Sequence, residues 1–238
     1  MNGEQHITIS IATAGVVLVP LIASFPPAWI VFALFGVFIG ALAPDADAND
    51  SAIFHTRLPG GKRRRRCIVL PLFGYTIRYL IYYPISVPFI AIFGKKAMPK
   101  HRGILHSAIG VILMTFLLGV YAYIAGRIVL QIPWSPIAGM FLLGFFGGAV
   151  CHLLEDSCTR SGVAWLFPLS GWRVRGGIVT GSRDLRPGLF AGILAAAAAI
   201  LLLAGHEGPI QAPLPPWSGA LCAAGLWVIF LFAARIGR

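Results

Sequence analysis

Charged residues, and acidic residues above all, are scarce in this chain of 238 residues. Only 11% of the residues are charged, with 8 Asp and Glu against 19 Lys and Arg, while 58% are hydrophobic. Because a soluble domain carries about 25% charged residues, this composition excludes an ordinary soluble protein and indicates an integral membrane protein. The net charge of +11 comes from loops between apolar runs, which is typical of contact with anionic lipid, so nucleic-acid binding is not expected.

Paired cysteines and a cleavable secretion signal are also missing. The four cysteines show no CxxC spacing, which argues against a disulfide framework and against a thiolate zinc site. The first apolar run follows no basic segment and precedes no small-residue cleavage site. We therefore expect a retained membrane span there rather than a signal peptide.

Apolar runs close to the length of a membrane span predict an all-α, polytopic helical bundle, organised as a single integral membrane domain over 1–238. The six predicted spans are 7–24, 28–43, 104–125, 134–154, 188–204 and 217–234. Residues 67–93 are apolar but contain three prolines, which kink helices, so we expect an interfacial or re-entrant segment, with one irregular span as the alternative. The strongly basic loops then share one side, which predicts a multi-pass protein of the inner (cytoplasmic) membrane with both termini in the cytoplasm.

Seven His and Asp residues lie at the ends of these predicted spans. Ionisable residues at membrane depth are costly and usually face a protein interior or a cavity. The predicted topology places all seven at the cytoplasmic surface, in one layer built from positions 6, 45–47, 101–107 and 152–159. They are His6, Asp45, Asp47, His101, His106, His152 and Asp156.

This set has the chemistry of a metal site. His152 and Asp156 are spaced i,i+4, so they share one helix face and can bind one ion together. Glu155 lies on an adjacent face, where it either supports the ligands or is solvated. The seven residues suffice for one or two divalent cations with an open position for water. Asp47 is the predicted general base or bridging carboxylate.

Arginines lie beside the same layer and are predicted to hold phosphate oxygens, for which the guanidinium fork is suited. For Arg173, Arg175 and Arg183, the alternative is contact with lipid headgroups. The four arginines are Arg102, Arg173, Arg175 and Arg183.

Five stretches resemble, in order, the YdjM-type family of LexA-associated, predicted membrane-bound metal-dependent hydrolases. They are GEQHITIS, ALAPDADANDS, HRGILHS, GGAVCHLLEDSCTRSGVAWLFPLSGWRVR and IVTGS, and they run from His6 to about Ser182. The resemblance implies a helical membrane hydrolase whose divalent-metal site is formed by the seven His and Asp residues. It also implies that Arg102, Ser107 and Thr159 surround the ligands.

The HxxxD helix is also similar to helices of zinc-dependent phospholipase C and of P1-type nucleases. That similarity favours zinc, with manganese or magnesium as alternatives, and it favours phosphoester cleavage. The N-terminal Trp ligand of those enzymes is absent, so a three-metal site is not expected. The chain also departs from the family pattern at Asn49 and Asp50, where a His-Pro pair is usual, and at Asp184, where Glu is usual.

We therefore expect a membrane-embedded metal-dependent hydrolase that cleaves a phosphoester of a lipid or amphiphile at the cytoplasmic membrane surface, with membrane lipids as its partners. Metal-activated water would be the nucleophile. The alternative from another class is a metal-ion transporter or a metal-binding membrane protein without hydrolytic activity. A structural or partner-binding protein is a third class, but it leaves the His and Asp layer unexplained.

Overall fold

The computed structural model describes residues 1–48, 51–54, 69–94, 102–180, 184–207 and 214–237. This described part is helical and contains no β-strand, which confirms the predicted all-α class. The α-helices are α1 Gly3–Leu18, α2 Pro27–Gly40, α3 Val69–Ile77, α4 Tyr83–Phe93, α5 Ala108–Tyr123, α6 Pro136–Ser157, α7 Arg186–Glu207 and α8 Ser218–Ala233. The 3-10 turns are Val19–Leu21, Ala43–Asp47, Ala52–Phe54 and Ile104–His106, and the π-helical turns are Arg78–Tyr82 and Ile124–Val129.

Within the described ranges, five helical stretches are long and apolar enough to cross a membrane. They are Gly3–Leu21, Leu70–Phe93, Ala108–Val129, Pro136–Ser157 and Arg186–Gly205. The predicted spans 28–43 and 217–234 correspond to the shorter apolar helices α2 and α8. Helix α2 packs along α6, and α8 packs against α1 and α7. The chain is a helical membrane protein.

Residues 69–93 form one continuous helix rather than a hairpin, because α3, a π-helical turn and α4 follow one another without a break. Pro71 lies in the first turn, where backbone N–H groups have no intrahelical acceptor. Pro84 lacks the N–H group that would bond to the carbonyl of Leu80. The hydroxyl of Tyr121 in α5 donates to that carbonyl oxygen instead, at 2.8 Å. A neighbouring side chain therefore replaces the hydrogen bond that the proline removes.

Helices α2 and α6 pack closely along two pairs of glycines with small-xxx-small spacing, a pattern that lets helix backbones approach in membranes. The glycines are Gly36, Gly40, Gly144 and Gly148. A Cβ atom added at Gly144 would lie 2.0 Å from the carbonyl oxygen of Ala33, and one added at Gly148 would lie 2.3 Å from that of Val37. Since both neighbours advance in the same chain direction, α2 and α6 are parallel and end on the same side of the bundle.

The segment between α6 and α7 folds back onto the end of α6. Two isolated bridges hold it, one between Thr159 and Ile178 and one between Val163 and Val174. Further backbone bonds run from Arg160 N to Ile178 O and from Gly176 N to Thr159 O. This arrangement fixes residues 159–163 beside the last turn of α6, where the polar cluster described next is found.

Candidate metal centre

Four separate segments bring buried His and Asp side chains into one cluster. They come from the first turn of α1, the 3-10 turns Ala43–Asp47 and Ile104–His106, and the last two turns of α6. Asp45 is the most accessible member, with 22% of its side chain exposed, and the others are exposed by 4% or less. The members are His6, Asp45, Asp47, His106, His152 and Asp156. The remaining predicted ligand, His101, lies outside the described residues.

His106, His152 and Asp156 offer ligand atoms that all lie within 4.8 Å of one another, and Asp45 lies close to two of these residues. Asp45 Oδ1 lies 3.2 Å from His106 Nε2 and 3.6 Å from His152 Nε2. Asp156 Oδ2 lies 3.9 Å from the first of these nitrogens and 3.8 Å from the second. Two ligands that each lie about 2.1 Å from a tetrahedral ion are about 3.4 Å apart. Three of the four observed separations are therefore slightly wider than those of a closed site, and the separation of 3.2 Å is slightly shorter.

The ring of His152 is oriented for metal binding. Its Nδ1 lies 2.7 Å from the carbonyl oxygen of Ala41, and because a carbonyl only accepts hydrogen bonds, Nδ1 carries the proton. In the neutral ring Nε2 then has a free lone pair, and it has no hydrogen-bond partner in the part of the chain that the structure describes. A carbonyl that fixes the tautomer of a histidine in this way is a regular feature of metal sites.

His6 forms a second group of potential ligand atoms together with Asp45 and His152, all within 4.8 Å of one another. Its ring stacks on that of His152, with the ring centroids 4.0 Å apart, and its Nε2 lies 3.6 Å from Asp156 Oδ1. The other nitrogen, Nδ1, lies 2.8 Å from Glu155 Oε2. Glu155 is fully buried, and its other oxygen accepts a hydrogen bond from Ser10.

Asp47 lies behind His106 and not among the candidate ligand atoms. Its Oδ2 is 3.6 Å from Nδ1 of His106, whereas Asp45 contacts Nε2 on the opposite side of the ring. The same oxygen accepts a hydrogen bond from the backbone N–H of Arg102. The structure thus gives Asp47 the position of a residue that orients His106, and its role as general base or bridging carboxylate stays a prediction.

Asp45 and His106 lie outside the apolar helices, and each favours the charged form of the other. Burial alone would raise the pKa of Asp45, but His152 and His106 lower it far below its usual range. Burial alone would lower the pKa of His106, but hydrogen bonds with Asp45 and Asp47 raise it to about 9. The cluster therefore stabilises positive charge at this position, which a bound cation can supply in place of the proton.

Arg102 fixes Asp156 in place rather than pointing an open guanidinium at the cluster. One terminal nitrogen lies 2.8 Å from Asp156 Oδ2. The other donates to the hydroxyl groups of Thr159 and Ser161 and to the carbonyl of Gly162. Arg102 has a positive φ of 57°, which is uncommon for a residue with a side chain. The left-handed backbone and the many acceptors indicate that this conformation is tightly determined.

The other predicted anion contacts lie farther from the candidate ligands. Arg173 is half-buried and donates to the carbonyl oxygen of Ser161, so it is connected to Arg102 through that residue. Arg175 is exposed, and its backbone carbonyl accepts from Gly237. Arg183 lies outside the described residues. Of the residues that the resemblance placed around the ligands, Thr159 contacts Arg102, whereas Ser107 caps α5.

Three supporting groups were not identified as site residues from the sequence. The carbonyl of Ala41 carries no sequence signal. Ser161 has a sequence signal only through the TRSG element, where it lies two residues after Thr159, which is expected near the ligands. Ser10 lies one helical turn after His6, so helix periodicity alone could have suggested that it faces the same cluster.

The fold and this cluster together define a class of protein, namely a helical membrane protein with a buried group of His and Asp residues that could hold a metal ion. The chain belongs to the YdjM inner membrane protein family, whose sequence profile matches residues 1–236. That match confirms the resemblance seen in the motifs. No curated protein and no solved structure matches the chain significantly.

Proposed function

We propose that this protein is a metal-dependent hydrolase of the inner membrane that cleaves a phosphoester of a lipid or amphiphilic substrate. The observation that carries the proposal is the unpartnered Nε2 of His152, which faces oxygens of both Asp45 and Asp156 at less than 4 Å. Buried polar atoms are normally hydrogen-bonded, so a nitrogen left without a partner beside two carboxylates is the arrangement expected of a metal ligand.

The donor set fits zinc better than magnesium. Two imidazole nitrogens and two carboxylate oxygens suit Zn²⁺, whereas Mg²⁺ prefers an octahedron of oxygens. The ligands in the proposal are His106 and His152 through Nε2, Asp45 through Oδ1 and Asp156 through Oδ2. A divalent cation there would act as a Lewis acid and lower the pKa of a bound water.

We propose a single metal ion for the two groups of potential ligand atoms. Both groups include His152, but its Nδ1 is bonded to Ala41, so its Nε2 offers a single lone pair. His152 can therefore serve one ion only. A second ion would depend on His6 together with the second oxygen of Asp156, 3.6 Å away.

The chain's own residues supply orientation and positive charge around the ion. In the proposal Arg102 holds Asp156, Asp47 holds His106 and Glu155 holds His6, each through the contacts described above. Arg173 lies at the outer side of Ser161 and is the described arginine placed best to meet a phosphate group, since Arg102 is already engaged by several acceptors.

The proposal places the centre at the cytoplasmic membrane surface, with both chain termini on that side, because the basic loops favour the cytoplasm. This topology requires that Leu70–Phe93, although long and apolar enough to cross, lies along the membrane surface. Arg78 in the middle of that helix donates to the backbone carbonyls of Ala46 and Ala48 beside the cluster, which supports this placement. Single cysteines introduced at Lys95 and Arg183 test this topology by labelling in intact cells and in inverted vesicles. Labelling of both positions only in inverted vesicles is expected. Access from opposite sides would contradict the proposed topology.

The function itself is tested on the purified full chain in detergent. We expect about one zinc ion per chain and hydrolysis of long-chain phosphomonoester and phosphodiester probes. His152→Ala and Asp45→Ala are expected to lose both the metal and the activity. Glu4→Gln is the matched control, because Glu4 is an exposed acidic residue in the same turn as His6.

The outcomes separate the proposal from its main alternative. Hydrolysis that disappears with the bound zinc in both variants supports the hydrolase. Zinc that is bound tightly and crosses liposome membranes, without turnover of any probe, would overturn it in favour of a transporter. A purified chain that binds no zinc, with both variants behaving like the unaltered protein, would overturn both.

A further inference from the structure

A cavity of 360 Å³ lies between α1, α2 and α6, beside the candidate centre. Its walls are mostly aliphatic, with Val17, Val37 and Met140 from the three helices. Gly147 also lines it, and a Cβ atom added there would meet nothing within 4 Å among the described residues. The missing side chain at Gly147 therefore leaves part of this space open.

Different residue types close the two ends of the cavity, but the hydroxyls of Ser10 and Thr13 are already hydrogen-bonded, to Glu155 and Trp227. Ser10, Thr13 and Cys151 close one end, and Ser10 donates a hydrogen bond to Glu155. This end lies one residue from His152 and one helical turn from His6. Leu21 and Phe25 close the other end, which is wholly apolar. The cavity thus runs from the supporting residues of the candidate centre into the apolar part of the bundle.

We propose that this cavity binds the hydrocarbon chain of an amphiphilic substrate whose phosphate headgroup lies at the candidate centre. The inference rests on the proposed function and specifies how its substrate is held. The apolar lining of the cavity suits a hydrocarbon chain, and Cys151 at one end is adjacent in sequence to His152 of the candidate centre. Its volume is within the range of about 300–1,000 Å³ that is usual for ligand sites.

The surroundings of the cavity favour a chain from the bilayer over water. Water needs two or more polar partners, and the aliphatic walls offer few. Leu143 lines the cavity and is 67% exposed on the outer face of α6, so the cavity opens sideways between helices long enough to cross a membrane. An alkyl chain can therefore enter from the membrane without passing through the aqueous phase.

The test uses photo-crosslinking, which does not require turnover. The probe is a long-chain alkyl phosphate with a diazirine in the middle of its chain, added to the full-length protein in lipid nanodiscs. Mass spectrometry of the crosslinked chain is expected to find adducts at Met140 and Leu143 and on the facing residues of α1. The alkyl alcohol with the same diazirine, which has no phosphate, is expected to give far fewer adducts at these positions.

The variant that tests the cavity is Gly147→Leu, which fills it. We expect roughly a tenfold loss of crosslinking, because the leucine side chain would occupy space that the alkyl chain needs. Gly139→Leu is the matched control, since Gly139 lies on the same helix, has nothing within 4 Å of its added Cβ in the described structure and does not line the cavity. The positions of the photo-adducts on the unaltered chain test the inference even if Gly147→Leu does not fold.

Several results would overturn the inference. Adducts confined to lipid-facing residues outside the cavity would do so, and so would equal labelling by the phosphate and the alcohol, which would indicate an ordinary bilayer lipid. Unchanged labelling in a folded Gly147→Leu would have the same meaning. Failure of the proposed function looks different: cavity adducts that depend on the phosphate would persist, while no phosphoester probe is hydrolysed and Asp45→Ala changes neither metal content nor turnover.

Discussion

Replacing Gly148 with Ala is expected to weaken metal binding without altering any candidate ligand. The added Cβ would lie 2.3 Å from the carbonyl oxygen of Val37 and 2.9 Å from the backbone nitrogen of Ala41. Since ordinary contacts begin at 3.4 Å, the helices α2 and α6 must separate by about 1 Å at this point. The bond from His152 Nδ1 to Ala41, now 2.7 Å, lies one turn farther along and would exceed the usual limit of about 3.2 Å.

The expected magnitudes follow from these distances. Overpacking costs about 1–3 kcal/mol of unfolding free energy, and removing the group that orients a metal-binding histidine lowers metal affinity about 10–100-fold. The assays are thermal unfolding in detergent and zinc competition with a chelator of known affinity. Gly147→Ala is the control, because its Cβ meets nothing within 4 Å in the described ranges. Equal zinc affinity in the two folded variants would refute the role given to Ala41.

Three further substitutions have distinct expected outcomes. Glu155→Gln keeps the hydrogen bond from its serine neighbour but removes the charge beside His6, which is not a ligand of the single proposed ion, so zinc affinity should stay unchanged, and a fall of about 10-fold in zinc titrations would indicate an ion held by His6 instead. Arg102→Lys should leave zinc stoichiometry intact but lower turnover, because Lys cannot bridge Asp156 and the neighbouring loop together; normal turnover would count against this positioning role. Tyr121→Phe should cost about 0.5–1.5 kcal/mol of unfolding free energy, with zinc affinity unchanged, because a helix carbonyl freed by a proline loses its donor.

The sequence predicted the helical class and the grouping of polar residues because both depend on long-range patterns. Hydropathy marks helices, and the alternation of membrane crossings constrains which helix ends can meet. His6, His106 and His152 are separated by long stretches of chain, yet their positions at helix ends are enough to predict one layer. The structure places these three side chains together.

The roles of individual residues could not be predicted in the same way. Asp45 and Asp47 are two residues apart, and the short 3-10 turn that contains them decides which one faces the ligands. Glu155 lies on a different face of α6 from His152, and it is buried because α1 packs there while α2 and α5 cover other faces. Arg102 adopts a left-handed backbone that no local pattern indicated. These outcomes depend on packing between elements rather than on spacing along the chain.

The packing between α2 and α6 also explains why the candidate centre lies where it does. Ala33 lies against Gly144, and Val37 lies against Gly148, so the contact repeats every four residues along both helices. The next step along the same line pairs Ala41 with His152, which is the hydrogen bond that orients the imidazole. His152 therefore occupies the position that a third glycine would have in this series. Because one line of close contacts both holds the helices together and orients the ligand, stability and metal affinity should change together when it is disturbed, whereas changes near His106 should affect affinity alone.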